Sequence, residues 1–467
     1  MWASVCHTPE EYQIDKSTNP QVYSMQNTID TIYELYLNTR NVTTDSRSIT
    51  DGSLFFALKG NNFDGNEFVP SAIEKGAAVC IVSDNAYASN PRCIVVDNVL
   101  ATLQDLARLH RQHLAIPVIA ITGTNGKTTT KELVAAALRR RYKVHATQGN
   151  YNNHLGVPLT LLSIPVDCEI AVVEMGANHP GEIADLCDIA LPDYGLITNV
   201  GKAHLEGFGS FEGVVRTKTE LYRFLDSHAG TIFVNADNDI LLAEAVKCTN
   251  AMVMAYGSAD NEALKIVGGT TVATATCIGA KPYMAFYTED GDRVYNISTR
   301  LFGAYNYGNA LTALAVARHF KVELYEIKEA LEGYCPSNNR SQLKQTGRNL
   351  LLMDCYNANP TSMEAAVKSF AEIDAEKRVV MLGGMKELGA ESNAEHRRIM
   401  DLVCRCDFDG VVLIGEEFAF ARQWPAVLWF ADSAEACAHF SDKPLSGAAI
   451  LLKGSNSNHM WELEKVL

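Results

Sequence analysis

The chain has 467 residues, 47% of them hydrophobic and 20% charged, with a formal net charge of −15. That length exceeds what one hydrophobic core organises, so roughly two to four domains of an ordinary soluble globular protein are expected. The acidic balance argues against nucleic acid as a partner, because phosphate backbones reward basic surfaces, and no apolar run of about 18 residues marks a membrane span.

Residues 1–24 are polar and turn-rich, lack the basic and apolar segments of a secretory signal, and read as an N-terminal extension. Residues 25–113 form a small α/β unit, with SLFFALKG and AAVCIVSD as strands and VPSAIEKG and LATLQDLARLHRQ as helices. From 114 to 334 strands and helices alternate. VIAITG, EIAVVEMGA, YGLITNVG and TIFVNAD are apolar throughout, as strands covered on both faces are. TTKELVAAALRRR, GEIADLCDIA and FEGVVRTKTELYRFLD are the helices between them, the first ending in Arg139–Arg141, where cations suit the helix dipole. The β-rich stretch from about Ile266 to Thr299 reads as antiparallel strands added to this sheet, and the helix NALTALAVARHF follows. GYCPSNNR is a turn cluster, after which α/β alternation restarts over 335–467. The expected fold is therefore α/β in three domains. A central P-loop-type, mostly parallel sheet with helices on both faces lies between a smaller N-terminal α/β domain and a C-terminal Rossmann-like domain. The twelve cysteines include no CxxC pair, and Cys404 and Cys406 have no partner cluster for zinc, so most are expected to be small buried hydrophobes in a reducing cytoplasm.

The stretch IPVIAITGTNGKTTTKE runs from a strand through a glycine turn into a helix. Backbone N–H groups of such a turn and of a helix start converge on one point, which suits a phosphate. Lys127 supplies a cation for β/γ-phosphates and the Thr128 hydroxyl can ligate magnesium. A capped strand–turn–helix corner with no ligand is the plainer alternative, and GxxGKTT after a buried strand makes it the weaker one. Only two residues separate Gly123 from Gly126, where the usual loop has about four, which argues against ordinary P-loop kinases and GTPases.

Ligands of open α/β sheets gather at the carboxyl ends of strands. Glu174 ends one central strand, His204 follows another, and Asp354 ends a strand of the third domain. A carboxylate beside a phosphate loop is placed to hold Mg²⁺. Lys218, in the helical RTKTELY, is expected to be solvated on pattern alone.

Together, TGTNGKTT, the Glu174 strand end, NVGKAH and the lysine of TKTE resemble the Mur ligases, the ATP-dependent amide-forming enzymes of peptidoglycan synthesis. The resemblance runs from about Met25 to the C-terminus. TTDSRSITDGSLFFALKG, GNYNNHLGVPLTLL, EMGANHPGEI, AHLEGFGSFEGV and DCYNANPTSM resemble the branch that joins D-alanyl-D-alanine to UDP-N-acetylmuramoyl-tripeptide.

The resemblance implies that ATP activates the peptide carboxylate as an acyl phosphate, which the amine of the dipeptide then attacks. Gly123, Thr124, Asn125, Gly126, Lys127, Thr128 and Thr129 would cradle the phosphates, with Asn306 and Asn309 on the adenine side. Arg340 and Asp354 would reach ATP from the third domain. Two Mg²⁺ sites are implied: Thr128 with Glu174, and His204 with Lys218, the lysine carbamylated by carbon dioxide so that it can bind a cation. Ser46 and Arg47 would meet the UDP end, since an arginine fork suits a diphosphate, and Asn152 and Asn153 the muramoyl-peptide. Tyr356, Asn357 and Asn359 would serve the dipeptide or the ATP. A cytoplasmic monomer is expected.

Two positions depart from the family pattern: Gly384 in LGGMKELG stands where an acid is common, and Asn456 follows KGS where a basic residue is common. The lysine- or diaminopimelate-adding Mur ligases carry a DNPR-like signature where this chain reads NANP. Folylpolyglutamate synthetases share the loop but fit DSR and EMGANHPGEI poorly. A non-catalytic nucleotide-binding module would bind ATP without amine-dependent phosphate release.

Overall fold

The structure is a computed structural model and describes residues 25–265 and 270–467. The N-terminal extension, residues 1–24, lies outside the described residues, as does Ile266, where the β-rich stretch was expected to begin. Among the described residues the strands form three sheets, of four, nine and six strands.

The first sheet is parallel and runs Val42–Thr43, Leu54–Phe56, Val79–Val82, Cys93–Val95. Its helix Val69–Glu74 starts with proline in its first turn, where a missing N–H costs nothing. The helices Met25–Thr39 and Val99–His113 contribute Ile32, Tyr36, Leu103 and Leu106 to the same apolar cluster as Val118 and Ala171 of the central sheet. The first domain is thus packed onto the second through shared core.

The central sheet is ordered Arg293–Phe302, Tyr283–Asp290, Thr270–Ala280, Met252–Ser258, Thr231–Asn235, Tyr194–Ile197, Val118–Thr122, Ile170–Glu174, Val144–Ala146. Alternate residues of one strand feed opposite layers. Val118 and Ala120 join the helices Gly156–Leu162 and Glu182–Ala190, while Ile119 and Ile121 join Lys127–Leu138 and Tyr307–His319. Both faces are covered, which is why these strands read as unbroken apolar runs.

One expectation is refined and one is corrected. The β-rich stretch does add an antiparallel meander, Thr270–Ala280 pairing antiparallel with Tyr283–Asp290 and that strand antiparallel with Arg293–Phe302, but it joins the sheet through a parallel pairing of Thr270–Ala280 with Met252–Ser258. The connection after Ser258, with its turn Glu262–Lys265, is far longer than a tight hairpin and lets the chain return in the same direction. The single helix expected over FEGVVRTKTELYRFLD is two, Phe211–Lys218 and Glu220–Ser227. At the junction the Thr219 hydroxyl donates to the carbonyls of Val215 (2.9 Å) and Arg216 (3.2 Å), the back-bonding that bends helices.

The third sheet is ordered Gln342–Gln345, Leu350–Asp354, Ala449–Lys453, Arg378–Gly383, Gly410–Ile414, Val427–Phe430, parallel except for its first edge strand. Pro360–Ala371 and Ser392–Arg405 cover one face, Ser433–Asp442 and the turn Met460–Lys465 the other. Of the described cysteines only Cys80, Cys168, Cys187 and Cys355 are buried, fewer than expected. No helix among the described residues is long and apolar enough to cross a membrane.

Candidate active site

The loop after Val118–Thr122 takes the shape a phosphate cradle requires. Gly123 (φ 140°) and Gly126 (φ 76°) both lie in the left-handed half of the map. A Cβ at Gly123 would sit 2.0 Å from the Thr198 hydroxyl, and one at Gly126 2.4 Å from Asn309 Oδ1, so neither position accepts a side chain. The NVGKAH segment, with Thr198 just before it, braces the loop from outside. Asn125 N donates to Asn199 Oδ1 (2.9 Å), Thr198 Oγ1 and Asn199 Nδ2 donate to the Asn125 carbonyl (2.6 and 3.0 Å), and Gly201 N donates to Thr124 Oγ1 (3.0 Å). Sequence reasoning took only His204 from this segment and missed Asn199.

Lys127 opens the helix and folds back, its ammonium donating to the carbonyls of Gly123 (2.8 Å) and Thr124 (3.2 Å). Burial holds its pKa below the usual lysine range, with Arg340 acting the same way and Glu174 opposing. Such an ammonium gains most from an anionic ligand.

Glu174 is 1% exposed. Its Oε1 accepts from Thr128 Oγ1 (3.2 Å) and Asn152 Nδ2 (2.8 Å), while its Oε2 is buried without a hydrogen-bond partner. An orphaned carboxylate oxygen beside a threonine hydroxyl is an all-oxygen donor set that suits a hard divalent cation. Asn153 lines the same cavity, but its Oδ1 caps the helix Gly156–Leu162 by accepting from Leu155 N (3.1 Å) and Gly156 N (2.9 Å).

His204 adopts φ 50° and pairs through Nδ1 with the Glu387 carboxylate of the third domain. Burial keeps its imidazole below the usual pKa, outweighing Glu387. Lys218 overturns its pattern-based reading: it is 2% exposed and its ammonium donates to the Ala177 carbonyl at 3.3 Å. Burial, reinforced by Lys127, pushes its pKa far below the normal value despite Glu182 and Glu220. Asn306 and Asn309 are coupled, Asn309 Nδ2 donating to Asn306 Oδ1 (2.9 Å) and Thr130 Oγ1 to Asn309 Oδ1 (3.1 Å).

The third domain closes over this edge. Asn359 caps the helix Pro360–Ala371 and also reaches the loop, donating to Asn125 Oδ1 at 2.7 Å. Lys202 Nζ meets Glu395 Oε1 (2.7 Å) and Glu391 (3.6 Å) across the same boundary. The Arg340 guanidinium lies 3.6 Å from the Tyr356 ring centroid, an arginine–aromatic stack. Asp354 is anchored by the buried Lys453 at 2.8 Å and accepts from Ser341 N (3.1 Å). At Gly384 the space beside the backbone is taken by Glu417, whose Oε2 would lie 2.3 Å from an added Cβ.

These parts meet in a cavity of about 1250 Å³ bounded by all three domains. Thr124, Asn125, Gly126, Lys127, Thr128, Thr129, Glu174 and His204 line it, with Asn152, Asn306, Asn309, Arg340, Asp354, Tyr356, Asn357 and Asn359. Gly123, though part of the loop, is not among the lining residues, and Lys218 is buried rather than lining the cavity. Ser46 and Arg47 are not brought to the cavity. Arg47 is exposed and forms a fork to Asp45 within its own turn (2.8 Å), and the Ser46 carbonyl accepts from Lys75 (2.7 Å). Lys131, Lys386, Glu387 and Lys453 are site features that sequence reasoning missed. Lys386 and Glu387 stand within LGGMKELG and Lys453 within KGS, but nothing local marks these charges as site groups, because Glu417, His204 and Asp354 reach them only through folding, as Thr147 and Glu174 reach Lys131.

Comparison with known families matches residues 38–144 to "Mur ligase family, catalytic domain", 121–317 to "Mur ligase middle domain" and 339–456 to "Mur ligase, glutamate ligase domain". The UDP-N-acetylmuramoyl-tripeptide–D-alanyl-D-alanine ligase of Escherichia coli is 36% identical over 441 residues, 91% of this chain and 93% of that protein. Its Bacillus subtilis counterpart is 32% identical over 438 residues, 91% and 92% of the two chains. A crystal structure of MurF from Acinetobacter baumannii superposes with TM-score 0.81 at 30% identity, covering 92% of this chain and 97% of that one. MurF from Thermotoga maritima, solved in complex with ADP, gives TM-score 0.79 at 25% identity over 92% and 97%. The three-domain architecture and the ordered phosphate loop, strand-end carboxylate and closing third domain have the same explanation: the chain belongs to the Mur ligase family.

Proposed function

We propose that this chain is an ATP-dependent ligase that joins D-alanyl-D-alanine to UDP-N-acetylmuramoyl-tripeptide, releasing ADP and phosphate. The observation that carries the reading is the single cavity in which a phosphate loop, a buried orphaned carboxylate and the third domain's NANP segment face one another. The length and identity of the match to D-alanyl-D-alanine ligases support the choice of amine.

An amine cannot expel oxide from a carboxylate, so the peptide carboxylate must first be activated. Its oxygen attacks the γ-phosphorus, ADP leaves, and an acyl phosphate forms. The amine then attacks the acyl carbon, loses a proton, and phosphate departs from the tetrahedral intermediate. Loop N–H groups, Lys127 and Arg340 would neutralise the phosphates and hold them in line, the main protein contribution to phosphoryl transfer. Thr128 and Glu174 would hold one Mg²⁺, and His204 with Lys218 a second. Bound there, magnesium supplies charge neutralisation and orientation of phosphate oxygens. Lys218 would take part as its carbamate, since an ammonium cannot coordinate a cation. Its low pKa supports this, because only the neutral amine attacks carbon dioxide, forming an N–C bond and releasing a proton.

Asn306 and Asn309 are assigned to the adenine side and Asp354 to the nucleotide. Asn152 and Asn153 are assigned to the muramoyl-peptide, Tyr356, Asn357 and Asn359 to the dipeptide or ATP, and Ser46 and Arg47 to the UDP end. Domain limits of 25–113, 114–334 and 335–467 accompany this assignment. A UDP-linked substrate and ATP support a cytoplasmic location, and a monomer is proposed with it.

The test is phosphate release with ATP, UDP-N-acetylmuramoyl-tripeptide and a panel of amines. Turnover with D-alanyl-D-alanine is expected; turnover with lysine alone, or none with the dipeptide, refutes the reading.

A further inference from the structure

One buried cation beside the phosphate loop has no part in the scheme above. Lys131 lies one helical turn beyond Lys127, and its side chain is fully buried. A buried lysine is costly unless paired, so its partners define its purpose. The ammonium donates to the Thr147 carbonyl at 2.5 Å, meets Glu132 Oε1 at 3.0 Å, and stands 3.9 Å from Glu174 Oε2. Thr147 is itself tied to Glu174, since its hydroxyl accepts from Glu174 N at 2.9 Å.

The Glu174 carboxylate is therefore held asymmetrically. Its Oε1 takes two neutral donors, Thr128 and Asn152. Its Oε2 has the Lys131 ammonium 3.9 Å away, just beyond hydrogen-bond range, and is left without a hydrogen-bond partner. An ammonium at that distance orients the oxygen by Coulomb attraction without occupying it. The thread Lys131–Thr147–Glu174 also fixes the backbone from which the carboxylate projects. Ligand-orienting groups of this kind are integral to metal sites, and their loss costs about 10- to 100-fold in metal affinity.

We infer that Lys131 is a positioning residue for metal binding: it holds the Glu174 carboxylate so that the free Oε2 is presented to the nucleotide-bound cation. The inference rests on the reading of Glu174 as a metal ligand.

The experiment compares the intact wild-type chain with Lys131→Met, Glu174→Gln and the double variant. Calorimetry measures ADP binding across a Mg²⁺ titration and again in EDTA. Lys131→Met is expected to raise the half-saturating Mg²⁺ concentration about tenfold, with metal-free ADP binding changed less than about twofold. In the double variant the lysine change is expected to add nothing to Glu174→Gln, because its effect runs through that carboxylate. Unchanged Mg²⁺ dependence in Lys131→Met, an equal loss of metal-free binding, or additive effects would each overturn the inference. If Lys131→Met alone does not fold, the double variant decides. A folded double variant supports charge compensation of Glu174, and an unfolded one beside a folded Glu174→Gln assigns the lysine to Thr147 alone and overturns it. Glu174→Gln with wild-type Mg²⁺ dependence sinks the metal-ligand reading itself, whereas loss there with none in Lys131→Met sinks only this inference.

Discussion

Asn125, at the tip of the phosphate loop, and Asn359, the cap of the first helix in the third domain, exchange side-chain hydrogen bonds of 2.7 and 3.4 Å. The nucleotide loop thereby touches the NANP segment directly. The capping box uses Asn359 Oδ1 to accept from Ser362 N (2.9 Å), which leaves the amide nitrogen to report on the loop. A change in loop position is transmitted to the start of that helix without an intermediary.

Asn359→Ser separates these two roles. Serine is an equally good cap but too short to reach Asn125. Losing the contact is expected to cost about 1 kcal/mol, about fivefold in the population of the closed arrangement. Small-angle scattering with ADP present should show a more open ensemble, and kcat/KM should fall by a similar factor with little change in Tm.

Lys218→Ala is expected to lower kcat on the order of 100-fold or more, with added bicarbonate giving no recovery. In the wild type, ¹³C-labelled carbon dioxide should give a carbamate NMR signal that the variant lacks. Near-normal turnover in the variant would remove the carbamate from the mechanism.

His110 in the helix Val99–His113 offers a pH test of the first domain's attachment. Burial pushes its imidazole down to about 4 from 6.5, helped by the charges of Arg40 and His113. A lowered histidine pKa means that the folded state favours the neutral ring. Its contribution is complete above about pH 6.5 and is lost as pH falls toward 4, because the unfolded chain takes the proton first. At pH 5 the loss is at most about 2 kcal/mol. Urea midpoints at pH 7 and pH 5 should differ less in His110→Gln than in the wild type.

Arg47 lies in an exposed turn, paired only with Asp45, and outside the main cavity. Exposed pairs contribute little to stability, so Arg47→Ala should leave the unfolding midpoint unchanged. If it meets the UDP diphosphate, KM for the UDP-linked substrate should rise about tenfold while KM for ATP stays constant. Equal KM values for both substrates in wild type and variant would take Arg47 out of the site.

The sequence by itself determined the parts whose physics is local. The phosphate loop was legible because turn, cation and helix start are contiguous, and the two glycines are demanded by backbone shape. The central strands were legible because burial on both faces leaves no polar alternation, and the strand-end positions of Glu174 and Asp354 followed directly. Only the tertiary structure decided which polar groups are buried and against what. Lys218 reads as a solvated helical residue until Phe208 and Ala177 enclose it, with Nζ 5.4 Å from the Phe208 ring. Lys131 is one more lysine in TTTKE until Thr147 and Glu174 arrive from two later segments. Glu387 stands in LGGMKELG with nothing local to give it a role, and it becomes part of the site when the third domain brings it to His204. Burial and long-range pairing depend on neighbours tens to hundreds of residues away, and no local pattern records them.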